Sequence, residues 1–286
     1  MKRLFNICLV VALHAIILTS CDLLFPYSVE DAPAPEYLPV DPEDPNPDIL
    51  GKFSVGVNKW VQFSPGNLEY SGGTHEWSFV NDQIMPYIAS SDGCDNYHGD
   101  IHLFSWGTGD DPYKNHSGDF NKYIDWGINK IRNDKPRTWR ALTKDEWEYI
   151  LSYRPNADNL KGAIYIMDDG RYYAEGWILL PDTWVCPAGL NFTAGSTGEY
   201  STNIYLLDEW KVLEASGAVF FPIEGMSSLN IYSTCYTSGL RETGHYWTAS
   251  ERDNDEAYYV YFSSSSARMT YTDRSHGLSV RLVKDL

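Results

Sequence analysis

Polar and apolar residues alternate from Gly51 to Val57, and apolar positions resume over Trp60-Val-Gln-Phe63. This pattern predicts a β-hairpin turning at Asn58-Lys59. Ser64-Pro-Gly-Asn67 reads as a second turn, ahead of Leu68-Glu-Tyr70, and Trp77 and Phe79 sit at strand spacing. Residues 81–138 are rich in Gly, Asp, Asn and aromatics and show little periodicity, which predicts a long loop region that is either functional or pinned by aromatic anchors. Two segments carry a helical period. Thr143-Lys-Asp-Glu146 is a capping box ahead of Trp147, Ile150 and Leu151, and Leu206, Leu207, Trp210 and Leu213 form an apolar face that stops at Gly217. Buried strands are predicted at Gly176–Pro181 and Ala218–Pro222. Further strands are predicted at Tyr246–Ala249, Ala257–Phe262, Arg268–Tyr271 and Leu278–Val283. Many strands and two helices in this order predict an α+β fold and not alternating α/β.

The first twenty residues have a different pattern. Lys2 and Arg3 precede an apolar run from Leu4 to Leu18, and Leu18-Thr-Ser-Cys21 follows. This reads as a secretory signal over residues 1–20, of the kind cut before a cysteine that then receives lipid, here Cys21. Residues 21–50 read as a stiff, solvated linker, with seven Pro and seven acidic residues between Pro26 and Asp48. Residues 51–286 form the folded domain. The segment resembles the bacterial lipoprotein signal, and that resemblance implies the bacterial cell envelope, lipid-anchored at the outer membrane and surface-exposed, with the choice between periplasmic and external face open and the membrane touched only through the anchor.

Composition narrows the partners. The 286 residues carry 39 acidic and 22 basic side chains, a formal charge of −17, which argues against nucleic acid as a partner. Ten Trp and 21 Tyr are more than helix bundles carry and suit an irregular, ligand-binding fold. Without Cys8 and Cys21, three cysteines remain at 94, 186 and 235, so one internal bridge at most is possible and the pair is open.

Several segments occur together in one group of proteins. They are Lys59-Trp-Val-Gln-Phe-Ser-Pro-Gly-Asn-Leu68, Leu103–Gly109, Trp139–Trp147, Ile178–Trp184, Gly217–Pro222, His245-Tyr-Trp-Thr-Ala-Ser250 and Gly277-Leu-Ser-Val-Arg-Leu282. Through them the chain resembles exported Bacteroidetes lipoproteins with a C-type-lectin-like domain. Those proteins are similar to the Fibrobacter succinogenes major paralogous domain and, more distantly, to formylglycine-generating-enzyme folds and retroelement variable proteins. The resemblance spans nearly all of residues 51–286. It implies irregular loops around small twisted sheets with two flanking helices, and a face that binds a ligand.

Catalytic patterns are weak. The cysteine pair of formylglycine-generating enzymes is missing, since Cys235 alone lies in the corresponding stretch. His98-x-x-x-His102 has metal-ligand spacing only on a helix, which Gly99 disfavours. Asp92, Asp95 and Asp100, or Asp110 and Asp111, offer oxygen ligands for calcium without the spacing of a known loop. Glu146, a carboxylate of the kind used in glycoside hydrolysis, is accounted for by the capping box. The chain therefore reads as a non-enzyme with no required cofactor, calcium remaining an option.

The C-terminal strands are the expected binding face. Side chains on Ala257–Phe262 alternate, with Tyr258, Val260 and Phe262 on one side and Ala257, Tyr259 and Tyr261 on the other. Tyr259, Tyr261 and Tyr271, with Glu251, Asp253 and Asn254 of one turn and Asp273 and His276 of another, read as one exposed patch for a glycan or protein; the other reading of the same tyrosines is that they pack between loops. A structural subunit, such as a fimbrial tip or an accessory protein of a surface complex, is the alternative. An enzyme on the formylglycine-type fold is the third reading.

Overall fold

The computed structural model describes residues 51–84, 99–114, 120–168, 171–229, 235–238 and 242–286. The expected signal, Cys21, the linker, Asp92, Cys94, Asp95 and His98 lie outside these residues.

β1 (Lys52–Gly56) and β2 (Lys59–Phe63) form the predicted hairpin, with Asn58 in the left-handed region at φ 55°. The other edge of β2 pairs with β14 (Val283–Asp285), so a strand near residue 60 lies between its sequence neighbour and the C-terminal segment. At the following turn the Ser64 hydroxyl donates to the Gly66 carbonyl, and β3 (Leu68–Ser71) and β4 (Glu76–Phe79) make a second hairpin. α1 (Lys144–Glu148) starts on the predicted capping box. Thr143 Oγ1 accepts from the Glu146 amide at 3.3 Å, and Glu146 Oε2 accepts from the Thr143 amide at 2.9 Å. The helix then widens into a π-turn over Tyr149–Tyr153, which keeps Trp147, Ile150 and Leu151 on the buried side.

The largest sheet has the order β7-β5-β6-β8, from β5 (Lys161–Asp168), β6 (Arg171–Leu179), β7 (Ile204–Leu206) and β8 (Val219–Pro222), with β5–β7 its one parallel pair. β5 has no counterpart in the sequence reading, and Leu206 is an exposed strand residue rather than part of the helical face. α2 (Leu207–Ala215) buries Trp210 and Leu213 and ends on a Schellman motif. There the Ala218 amide donates to Leu213 O and the Gly217 amide to Glu214 O, with Gly217 at φ 93°.

β9 (Met226–Leu229) and β10 (Cys235–Ser238) pair as a two-stranded ribbon. β11 (Thr243–Glu251), β12 (Glu256–Ser263) and β13 (Ala267–Asp273) form an antiparallel sheet. Two sheets divide three apolar cores. Trp177 and Phe221 face the core that holds Phe63, Trp147 and Phe262, while Ile178 and Phe220 face the one that holds Trp210 and Leu213. Likewise Tyr246 and Val260 face the first core and Trp247 and Tyr259 a third, with Trp106 and Trp126. Strands covered on both sides need apolar residues at every position, which explains Gly176-Trp-Ile-Leu-Leu180.

One expectation is corrected. Leu278–Val283 is not a strand; residues 278–282 run extended through isolated bridges, Phe104↔Leu278 and Tyr246↔Ser279, before β14 begins at Val283. The tryptophans are mainly structural: nine of the ten are buried. Several indole N–H groups bind distant backbone, as Trp106 does to Thr248 O at 2.9 Å and Trp177 to Ser263 O at 2.7 Å. The chain is α+β, as the order of elements predicted.

Candidate functional site

The register of the C-terminal sheet decides which side chains meet. Tyr258 pairs with Tyr271, Tyr259 with Thr270 and Tyr261 with Arg268; across β11, His245 pairs with Tyr261 and Trp247 with Tyr259. Directly paired residues share a face. Tyr259 and Tyr261 therefore share one face, and Tyr271 lies on the other. The single patch expected from the sequence divides in two, because Tyr271 has the opposite pleat parity. Tyr259 also departs from expectation. It is 8% exposed and packs on Trp247 with ring centroids 6.1 Å apart, so it forms the floor of the face and not its surface.

The half-buried Tyr261 is the outward part of the first face. The exposed Arg268 places its guanidinium 4.8 Å from the Tyr261 ring centre, and the His245 ring meets the same tyrosine edge-on at 5.4 Å. His245 Nε2 lies 2.9 Å from Thr243 Oγ1, and His276 Nδ1 lies 2.7 Å from Thr272 Oγ1. Burial, then the neighbouring His276, pushes His245 down to about 4. Burial also lowers His276, against the pull of Asp273. The Tyr259 phenol is pushed up to about 12 by burial. Near neutral pH this face is uncharged apart from Arg268: aromatic rings, imidazoles and threonine hydroxyls. Arg268 and His245 were not among the expected site residues. Nothing local marks them, since Arg268 meets Tyr261 only through the register across the Ser263–Ser266 turn.

The second face carries Tyr258 and Tyr271 in edge-on contact at 6.3 Å. Each is covered by a cation, Lys144 Nζ at 5.3 Å from Tyr258 and the Arg252 guanidinium at 3.4 Å from Tyr271. The turns holding Glu251, Asp253, Asn254 and Asp273 do meet, as expected, and those four side chains are exposed. The clamp is the buried Arg274. It donates to the carbonyls of Asp253, Glu256 (3.3 Å) and Phe120 (3.0 Å) and to Glu251 Oε2 (3.1 Å), with its guanidinium 4.4 Å from the Trp106 ring centre. Asp253 is tied internally; its Oδ1 accepts from the amides of Asp255 and Glu256, which hold its carboxyl below the usual range.

Behind the first face lies a polar network that the sequence reading did not single out. Leu278, Val280 and Leu282 face apolar packing, and Ser279 and Arg281 between them are fully buried as well. Glu224 Oε2 accepts from Ser279 Oγ at 2.6 Å and Asn67 Nδ2 at 3.0 Å. Arg281 donates to Asn67 Oδ1 at 3.1 Å and Gln83 Oε1 at 2.7 Å. Burial pushes the Glu224 carboxyl up to about 7 against the hydrogen bonds of Ser279 and Asn67, and pushes Arg281 down to about 10. The network joins the Ser64–Asn67 turn to the C-terminal segment and the residues after β8.

The remaining candidates are scattered. His102 is buried beside Glu69, with Nδ1 and the carboxylate 4.0 Å apart, and burial lowers its pKa. Asp100 Oδ1 accepts from the Gly72 amide and Asp111 Oδ1 from the Tyr113 amide. No group of three His, Cys, Asp or Glu suited to a metal occurs among the described residues. Glu146 is paired with Arg140 through two 2.8 Å contacts. Cys186 is a free, half-buried thiol, so it takes no part in a bridge. Among the described residues, no helix is long and apolar enough to cross a membrane.

The profile of a domain of unknown function (DUF8237) matches residues 208–283, from α2 through the C-terminal sheet to the start of β14. No curated protein and no solved structure matches the chain.

Proposed function

We propose that this chain is a lipid-anchored bacterial surface protein whose C-type-lectin-like domain recognises a glycan or protein without catalysis. The first face of the C-terminal sheet is the contact surface, with Tyr261, Arg268 and His276 as its outward residues. One observation carries this reading. A half-exposed tyrosine stacked by arginine stands on a floor of buried rings, on a sheet packed on both sides, so aromatic area is presented with little entropy left to lose. Screening the intact protein on glycan arrays and on cells tests it. Tyr261→Ala and Arg268→Ala are expected to weaken binding roughly tenfold or more each, with the melting temperature nearly unchanged. Binding that survives both substitutions overturns the assignment of this face.

A second reading has its own support. Among the described residues no strand pairs with the outer edge of β13, whose register with β12 is unbroken over seven pairs. An open, unbulged edge is a template for another strand. A defined oligomer in solution, with β13 amides protected from hydrogen exchange only in that oligomer, would favour a structural subunit.

A further inference from the structure

A cleft of about 460 Å³ lies away from the C-terminal sheet, between the β2–β14 edge and the C-terminal end of α2. Gln62 and Lys284, paired across β2 and β14, line it together with Ser64, Gln83, Trp139 and Glu214. Its volume is in the range of small-molecule sites.

Gln83 has no freedom to turn. Its Oε1 accepts from Arg281 at 2.7 Å and from the Phe220 amide at 2.9 Å, so its Nε2 must face Glu214 Oε1, which it meets at 2.6 Å. The Glu214 carboxylate is thereby held in place although it is exposed. The carbonyl end of α2 adds partial negative charge on the same side. Lys284 supplies positive charge on the β14 side, its Nζ 5.7 Å from the Trp139 ring centre. Neither Glu214 nor Lys284 forms an ion pair among the described residues. Trp139 is not a platform for a sugar ring. It is 8% exposed, its N–H is bound to Asp134 Oδ2 at 2.9 Å, and Phe79 meets it at 5.0 Å.

We propose that this cleft binds a small zwitterion, a free amino acid or short peptide, with its ammonium toward Glu214 and its carboxylate toward Lys284. Two opposite charges on facing walls, neither in an ion pair among the described residues, suit a ligand that carries both complements, and Trp139 offers no platform for a saccharide. The intact protein should be titrated with free amino acids and with L-alanyl-L-alanine, by NMR shift perturbation. Saturable binding is expected, weakened about tenfold or more by Lys284→Ala and by Glu214→Gln, since each removes one charge-assisted contact. N-acetyl and C-amide forms of the dipeptide should bind comparably weakly. Tyr261→Ala should leave the titration unchanged, which separates this site from the sheet face. No saturable binding by any of these probes, or binding indifferent to both cleft substitutions, overturns the proposal.

Discussion

Arg281 is 1% exposed and Glu224 is buried beside it, so the charge states of this pair and of the neutral His245 bear directly on stability. Glu224 moves from an ordinary 4.5 up to about 7, so the folded protein binds the extra proton and stability from this group falls as pH rises through that span. His245 moves from 6.5 down to about 4, so its contribution is full above pH 6.5 and is lost as pH falls toward 4. Between pH 4.5 and 6.5 the two slopes oppose each other and nearly cancel. Denaturant unfolding across that window should be almost flat with pH as far as these groups decide it. Relative to the parent protein, Glu224→Gln should tilt stability upward with pH and His245→Phe should tilt it downward; two variants that tilt the same way would contradict the assignment. The tyrosines make a second contrast. Tyr259→Ala removes a buried ring and should cost about 3 kcal/mol, whereas Tyr261→Ala should cost less than about 1 kcal/mol. Equal losses would mean that Tyr261 is core as well.

Local signals explain which elements were legible. The capping box at Thr143–Glu146, the hairpin at Asn58 and the helix stop at Gly217 each depend on residues within one turn, so the sequence carries them in full. β5 was missed because both of its faces are covered, which removes alternation, and Gly162 interrupts it to admit Phe192. Residues 278–282 look like a strand because Leu278, Val280 and Leu282 alternate with two polar residues. The polar ones are buried in a network whose other members lie 55 to 214 positions away. The site was half legible for the same reason: pleat alternation placed Tyr259 and Tyr261 together, but the β13 residue opposite each is set by pairing across a turn. Gly217 allows a test at this scale. A Cβ there would lie 2.5 Å from the Gly51 amide nitrogen, on a backbone at φ 93°. Gly217→Ala should therefore lower stability by more than about 1 kcal/mol, read from the urea midpoint, where an exposed helix-stop glycine would cost about that much or less.

The whole molecule is closed by its C-terminal segment. Leu278 bridges to Phe104, Ser279 to Tyr246, Val283 to Arg140, and β14 completes the sheet begun by β1 and β2. Deleting residues 278–286 should leave a chain without sharp tertiary NMR signals, while a deletion confined to residues before Gly51 should leave them intact. A well-folded product of the first deletion would show that the segment is trim. This arrangement has a consequence for biogenesis. A polypeptide still growing on the ribosome has no partner for the second edge of β2 until residue 283 is made, so the N-terminal hairpin must wait unpaired on that side while the rest of the domain is synthesised. The order of synthesis thus postpones closure of the first sheet until the residues of β14 have emerged.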